Sequence, residues 1–101
     1  MNVNITFHVA DPVASQFHEW IRNVLKSAVL EGFPDASPCL FRVMHDVQPG
    51  CSTYAFQFNA PSGAVAERWL ERNFSHHMAS RRPEWGENVL PFVTLLDPVS
   101  I

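Results

Sequence analysis

Val3, Ile5, Phe7 and Val9 alternate with Asn2, Asn4, Thr6 and His8 at the head of the chain. A period of two puts the apolar side chains on one face of a strand and the polar ones on the other, so this segment demands a sheet buried on one side. It predicts a strand over residues 2–9. Asp11-Pro12 then offers a side-chain acceptor for a helix cap and a fixed φ at the first helical position. Behind it, Val13, Phe17, Trp20, Ile21, Val24, Leu25 and Ala28 recur at three- and four-residue steps. That spacing predicts an amphipathic helix from 12 to about 30.

Gly32, Pro34 and Pro38 make residues 31–38 a loop. Two β-rich runs, Cys39–His45 and Ser52–Asn59, flank Gln48-Pro49-Gly50, a chain-reversing group, and so read as an antiparallel hairpin. Tyr54, Phe56 and Phe58 share one face of its second strand, and Thr53, Ala55 and Gln57 the other, which makes the aromatic face the core side. Ser62 caps a second helix to about Ser80, with Val65, Ala66, Trp69, Leu70, Asn73, Phe74 and His77 as its stripe. Val89–Leu96 is a last, almost wholly apolar strand. Pro91 within it cannot donate to a ladder, so this strand belongs at a sheet edge or carries a bulge.

The order β-α-β-β-α-β, with right-handed crossovers, predicts an α+β fold of ferredoxin-like type: a four-stranded antiparallel sheet in the order 4-1-3-2 with both helices on one face. At 101 residues and 11.4 kDa the chain is one domain, residues 1–101. Charged residues are only 17% of it against 47% hydrophobic, the balance of a globular chain. The net charge of -3, with seven scattered Lys and Arg, speaks against nucleic acid. The sheet aromatics also lack the basic companions and signature of an RNA-recognition motif. Met1–Val9 has neither the basic residues of a signal peptide nor the apolar run of a membrane span, so the expectation is a cytoplasmic protein with no membrane partner. Cys39 and Cys51 fall at opposite ends of the hairpin, about 20 Å apart, and are expected to be free thiols.

Several segments resemble a bacterial family of about one hundred residues, domain-of-unknown-function family 4286. They are Asn4-Ile5-Thr6-Phe7, His18-Glu19-Trp20-Ile21, Thr53-Tyr54-Ala55-Phe56-Gln57-Phe58 and Pro91-Phe92-Val93-Thr94-Leu95-Leu96. The resemblance spans nearly the whole chain. It implies a domain of the dimeric α/β-barrel type, in which two sheets pair across a two-fold axis, and it brings no activity with it.

Adjacent His76 and His77 diverge by about 100° on a helix and do not chelate one ion. No phosphate loop, nucleophile elbow, CxxC pair or HExxH helix is present, and the expectation is no metal and no cofactor. Arg81 and Arg82 read as cations offsetting a helix dipole. Two readings of function stay open. One is a small-molecule site between helices and sheet, lined by His8, Trp20, His45 and Trp69, in a cofactor-independent enzyme. The other is a non-catalytic dimerisation or protein-interaction module; under either reading a homodimer is expected, with Asn4, Thr6, Thr53, Ala55 and Gln57 on the dimer face. A deep pocket favours the first, a filled core the second.

Overall fold

The computed structural model describes residues 1–45 and 48–101. Its elements are β1 (Asn2–Ala10), α1 (residues 14–32), β2 (Cys39–Arg42), β3 (Cys51–Asn59), α2 (residues 63–85) and β4 (Val89–Leu96). The sheet is antiparallel in the order β2-β3-β1-β4, which is the expected order read from the other edge. Pro91 pairs with Phe7 from the edge strand β4, the kind of position in a sheet where a residue without an N–H is tolerated.

Strand alternation places Val3, Ile5, Phe7 and Val9 wholly inside, with Tyr54, Phe56 and Phe58 beside them at 3% exposure or less. Both helices pack on this face. Phe17 and Trp20 of α1 meet Phe7 at centroid distances of 5.0 and 6.1 Å, and Trp69 of α2 meets Phe58 at 5.4 Å.

Each helix contains one π-type segment, Ile21–Leu25 in α1 and Leu70–Phe74 in α2. The cause lies in the buried positions. Val13, Phe17, Ile21, Leu25 and Val29 follow one another at strict four-residue steps, as do Ala66, Leu70 and Phe74. On a regular helix each such step drifts about 40° from the last, so a long run would turn away from the sheet. A widened turn, in which Lys26 N–H bonds the carbonyl of Ile21 and Ser75 N–H that of Leu70, takes up the drift. Val29 is thereby fully buried, while Val24 and Ala28, expected in the stripe, are only half-buried.

Other boundaries also differ from expectation. Asp11 is not the cap of α1: it opens a 3-10 turn, Asp11–Val13, that leads into the helix with no side-chain cap bond at either start, and its N–H donates to Gly50 O at 2.9 Å, tying the helix entrance to the hairpin. Ser62 does cap α2, its Oγ accepting from Val65 N–H at 3.2 Å. The helix runs on past Ser80 and through Pro83 because Trp85, 2% exposed, packs on Trp20 at 5.3 Å and donates to Gln16 Oε1 at 3.1 Å. Burial of that indole outweighs the proline, which interrupts only the last turn before Gly86 adopts a positive φ. β2 ends at Arg42 instead of His45, and of the hairpin connection Asp46 and Val47 lie outside the described residues. The turn at Pro49-Gly50 is present, with Gly50 at φ 83°.

Gly32 ends α1 against α2. A Cβ there would come within 3.0 Å of Trp69 Nε1 and 3.1 Å of its Cδ1, so the indole, packed on Phe33 and Phe58, would have to shift by a few tenths of an ångström. Overpacking of about 1–3 kcal/mol exceeds what is recovered of the helix propensity, at most about 1 kcal/mol at a helix end. Gly32→Ala is therefore expected to lower the melting temperature by several degrees; an unchanged or higher value would contradict this packing.

Candidate functional site

The side of the sheet turned away from the helices is where the polar half of the β1 pattern goes. Register places Asn2, Asn4, Thr6 and His8 beside Asn59, Gln57, Ala55 and Thr53 of β3. All five residues expected on a dimer face, Asn4, Thr6, Thr53, Ala55 and Gln57, share this surface, and His8 joins them. β4 adds Leu90, Phe92, Thr94 and Leu96 on one flank, and β2 adds Cys39 and Phe41 on the other. None of these side chains is Asp, Glu, Lys or Arg.

The surface has relief. One row across the strands reads Phe41, Ala55, Thr6, Phe92, with the two phenylalanines 53% and 60% exposed and two short side chains between them. Leu90 and Leu96 prolong the β4 ridge, both 46% exposed. The face is thus a shallow trough with apolar walls. Its floor is internally hydrogen-bonded: Gln57 Nε2 donates to Asn4 Oδ1 at 3.1 Å and Asn4 Nδ2 to Thr6 Oγ1 at 3.0 Å. His8 Nδ1 lies 3.0 Å from Thr53 Oγ1, and its ring stands edge-on to Phe92 at 5.8 Å.

The four residues expected to line one interior site are not brought together. His8 and Trp20 lie on opposite sides of the sheet, because His8 alternates with Phe7 and it is Phe7 that Trp20 touches. Trp20 and Trp69 are 5% and 7% exposed within the core, and each borders a different surface hollow, of about 220 and 200 Å³. His45 lines a third hollow, of about 160 Å³, with Arg42, Cys51 and Thr53. The space between helices and sheet is filled by aromatic rings at centroid distances of 5.0 to 6.4 Å.

A polar cluster that the sequence did not reveal sits at the edge of that filled layer. The Tyr54 hydroxyl is 3.1 Å from His18 Nε2 and accepts from Arg42 Nη2 at 3.3 Å. It joins β3, α1 and β2, and the hydrogen bond to Tyr54 raises the Arg42 guanidinium above its ordinary pKa. This is how a buried phenol finds partners: the ring belongs to the core and the hydroxyl reaches its rim. Arg81, in turn, lies 4.5 Å over the Trp85 ring and pairs with Glu84 at 3.0 Å, so it packs on α2's own last turn.

Among the described residues no three His, Cys, Asp or Glu side chains converge as metal ligands, and no helix is long and apolar enough to cross a membrane. His76 is exposed and His77 half-buried. Cys39 and Cys51 are both free; Cys39 pairs with Gln57, six residues along β3 from Cys51, about 20 Å at the usual strand rise. Two thiols per chain are expected to react with Ellman's reagent under denaturing, non-reducing conditions, and fewer would contradict this register. A family model described as a domain of unknown function, DUF4286, matches residues 2–99. No curated protein and no solved structure matches the chain.

Proposed function

Because the chain belongs to the DUF4286 family, whose description carries no activity, we propose from its geometry that it is a ferredoxin-like, self-associating module of the dimeric α/β-barrel type. Its uncovered sheet face meets the same face of a second copy, in the cytoplasm of a bacterial cell. The observation that carries this is the trough: an uncharged, polar-floored surface walled by exposed Phe41, Phe92, Leu90 and Leu96.

Charge and area favour a second copy as the occupant. A two-fold interface sets each residue of a patch against the same patch, so any net charge on it would repel itself. This face carries none, although the chain as a whole is at -3. Thirty strand residues form the sheet, about 480 Å² of planar area from the usual strand spacing and rise. Covering one such face on each of two copies removes roughly 1,000 Å² of planar area before side-chain relief is counted, the lower bound for a specific interface. The filled aromatic layer supports a module over an enzyme with an interior substrate pocket.

Cys39, exposed on the flank of this face, reports on its occupancy. Alkylation of Cys39 in the native protein is expected to slow as the protein concentration is raised from nanomolar to micromolar. A rate that is fast and unchanged across that range would overturn the proposal.

A further inference from the structure

We infer that pairing of the sheet faces is controlled by protons, with His8 as the switch; the inference rests on the dimer reading above and names its regulation. His8 is the one imidazole carried by a strand of the sheet among the described residues, on a central strand, exposed, and placed between Thr53 and Leu90 by the register of both neighbouring strands. Its own contacts, the Thr53 hydroxyl and the Phe92 ring, bear no charge. From β1 its neighbours on the face are Thr6 and Ala10, and from β4 Leu90 and Phe92. From the β2–β3 side come Thr53 and Cys51, and beyond them Arg42 and His45, which line the hollow that Thr53 shares. No carboxylate stands among these groups to compensate an imidazolium.

In the free monomer a cation at His8 is surrounded by water. Between two sheets it would be desolvated against Phe92 and Leu90, with a hydroxyl as its hydrogen-bond partner, and burial disfavours the charged form. The neutral ring has no such conflict, since Nδ1 can stay paired with Thr53 Oγ1 in either state. The dimer therefore holds fewer protons than two monomers do, and acid must weaken it. Two copies of His8 enter each dimer, so as the pH falls through the range in which imidazoles take up protons the dissociation constant can rise by up to about a hundredfold per pH unit, tenfold for each ring.

The test is a dilution series followed by light scattering at pH 7.5 and pH 5.5 on the wild type, His8→Gln and His76→Gln, the last a surface histidine away from the sheet. The wild type and His76→Gln should dissociate at least about tenfold more readily at the lower pH, and His8→Gln should show a nearly flat response. Calorimetric dilution of the wild type near pH 6 in two buffers of different ionisation heat, which needs no variant, should show net proton uptake on dissociation. A wild-type dissociation constant that does not change with pH, a His8→Gln response equal to the wild type's, or dissociation without proton uptake would each overturn the switch and leave the dimer standing. A wild type that is monomeric at pH 7.5 would instead overturn the dimer reading itself.

Discussion

Ala55→Arg is expected to convert the protein to a monomer at micromolar concentration while leaving its melting temperature close to that of the unpaired wild type. Ala55 lies on the trough floor between Phe41 and Thr6, half-buried in the single chain and open above. An arginine there has water to extend into as long as nothing covers the sheet. In a two-fold pair each substitution is present twice, so two guanidinium groups enter a contact that holds no carboxylate. An uncompensated charge in a buried contact costs several kcal/mol, and about 3 kcal/mol is already more than a hundredfold in dissociation constant. Light scattering of wild type and variant reads the difference directly. A variant that pairs as tightly as the wild type would exclude this face, and one that unfolds as a dilute monomer would show that Ala55 supports the fold itself.

Phe7→Ala should bring the largest loss of stability in the chain. The ring is fully buried and meets Phe17, Trp20 and Phe74 at 5.0, 6.1 and 6.1 Å, so it stands where both helices and the sheet converge. Truncating a buried phenylalanine costs about 3–5 kcal/mol through lost transfer energy and the cavity left behind. For a domain of this size each kcal/mol is worth about 4–8 °C, so the melting temperature is expected to fall by more than 10 °C. Thermal unfolding of a dilute sample separates this from dissociation. A fall of only one or two degrees would mean that the layer collapses around the gap, contrary to a core built on rigid rings.

How far this arrangement can be read from the chain depends on where polar residues punctuate it. β1 is legible because every second residue is polar, and the same parity in β3 assigns Tyr54, Phe56 and Phe58 inward with Thr53, Ala55 and Gln57 outward. The outward face of the sheet follows from those two strands. β4 resists, since Leu90 and Phe92 facing outward look no different in sequence from Val89 and Leu95 facing the core side; only its register against β1 separates them. The walls of the trough were therefore hidden although its floor was not.

The helices show the reverse difficulty. Their existence and faces are plain, but the strict four-residue spacing of buried positions signals widened turns that a regular helical wheel smooths over, which is why Ala28 and Val29 trade places. Trp85 lies beyond a proline that marks a helix end in most contexts, and only its fit against Trp20 and Gln16 carries the helix onward. The His18–Tyr54–Arg42 cluster joins residues 36 and 12 positions apart. Its sole local sign is a tyrosine in an otherwise phenylalanine face, whose hydroxyl had to find a partner.

The central claim, that two copies of the chain pair, is tested most directly by the absolute mass of the wild-type protein in solution. Multi-angle light scattering at micromolar concentration and pH 7.5 should return twice the chain mass of 11.4 kDa. A mass of one chain, constant to the highest concentration reached, would contradict it.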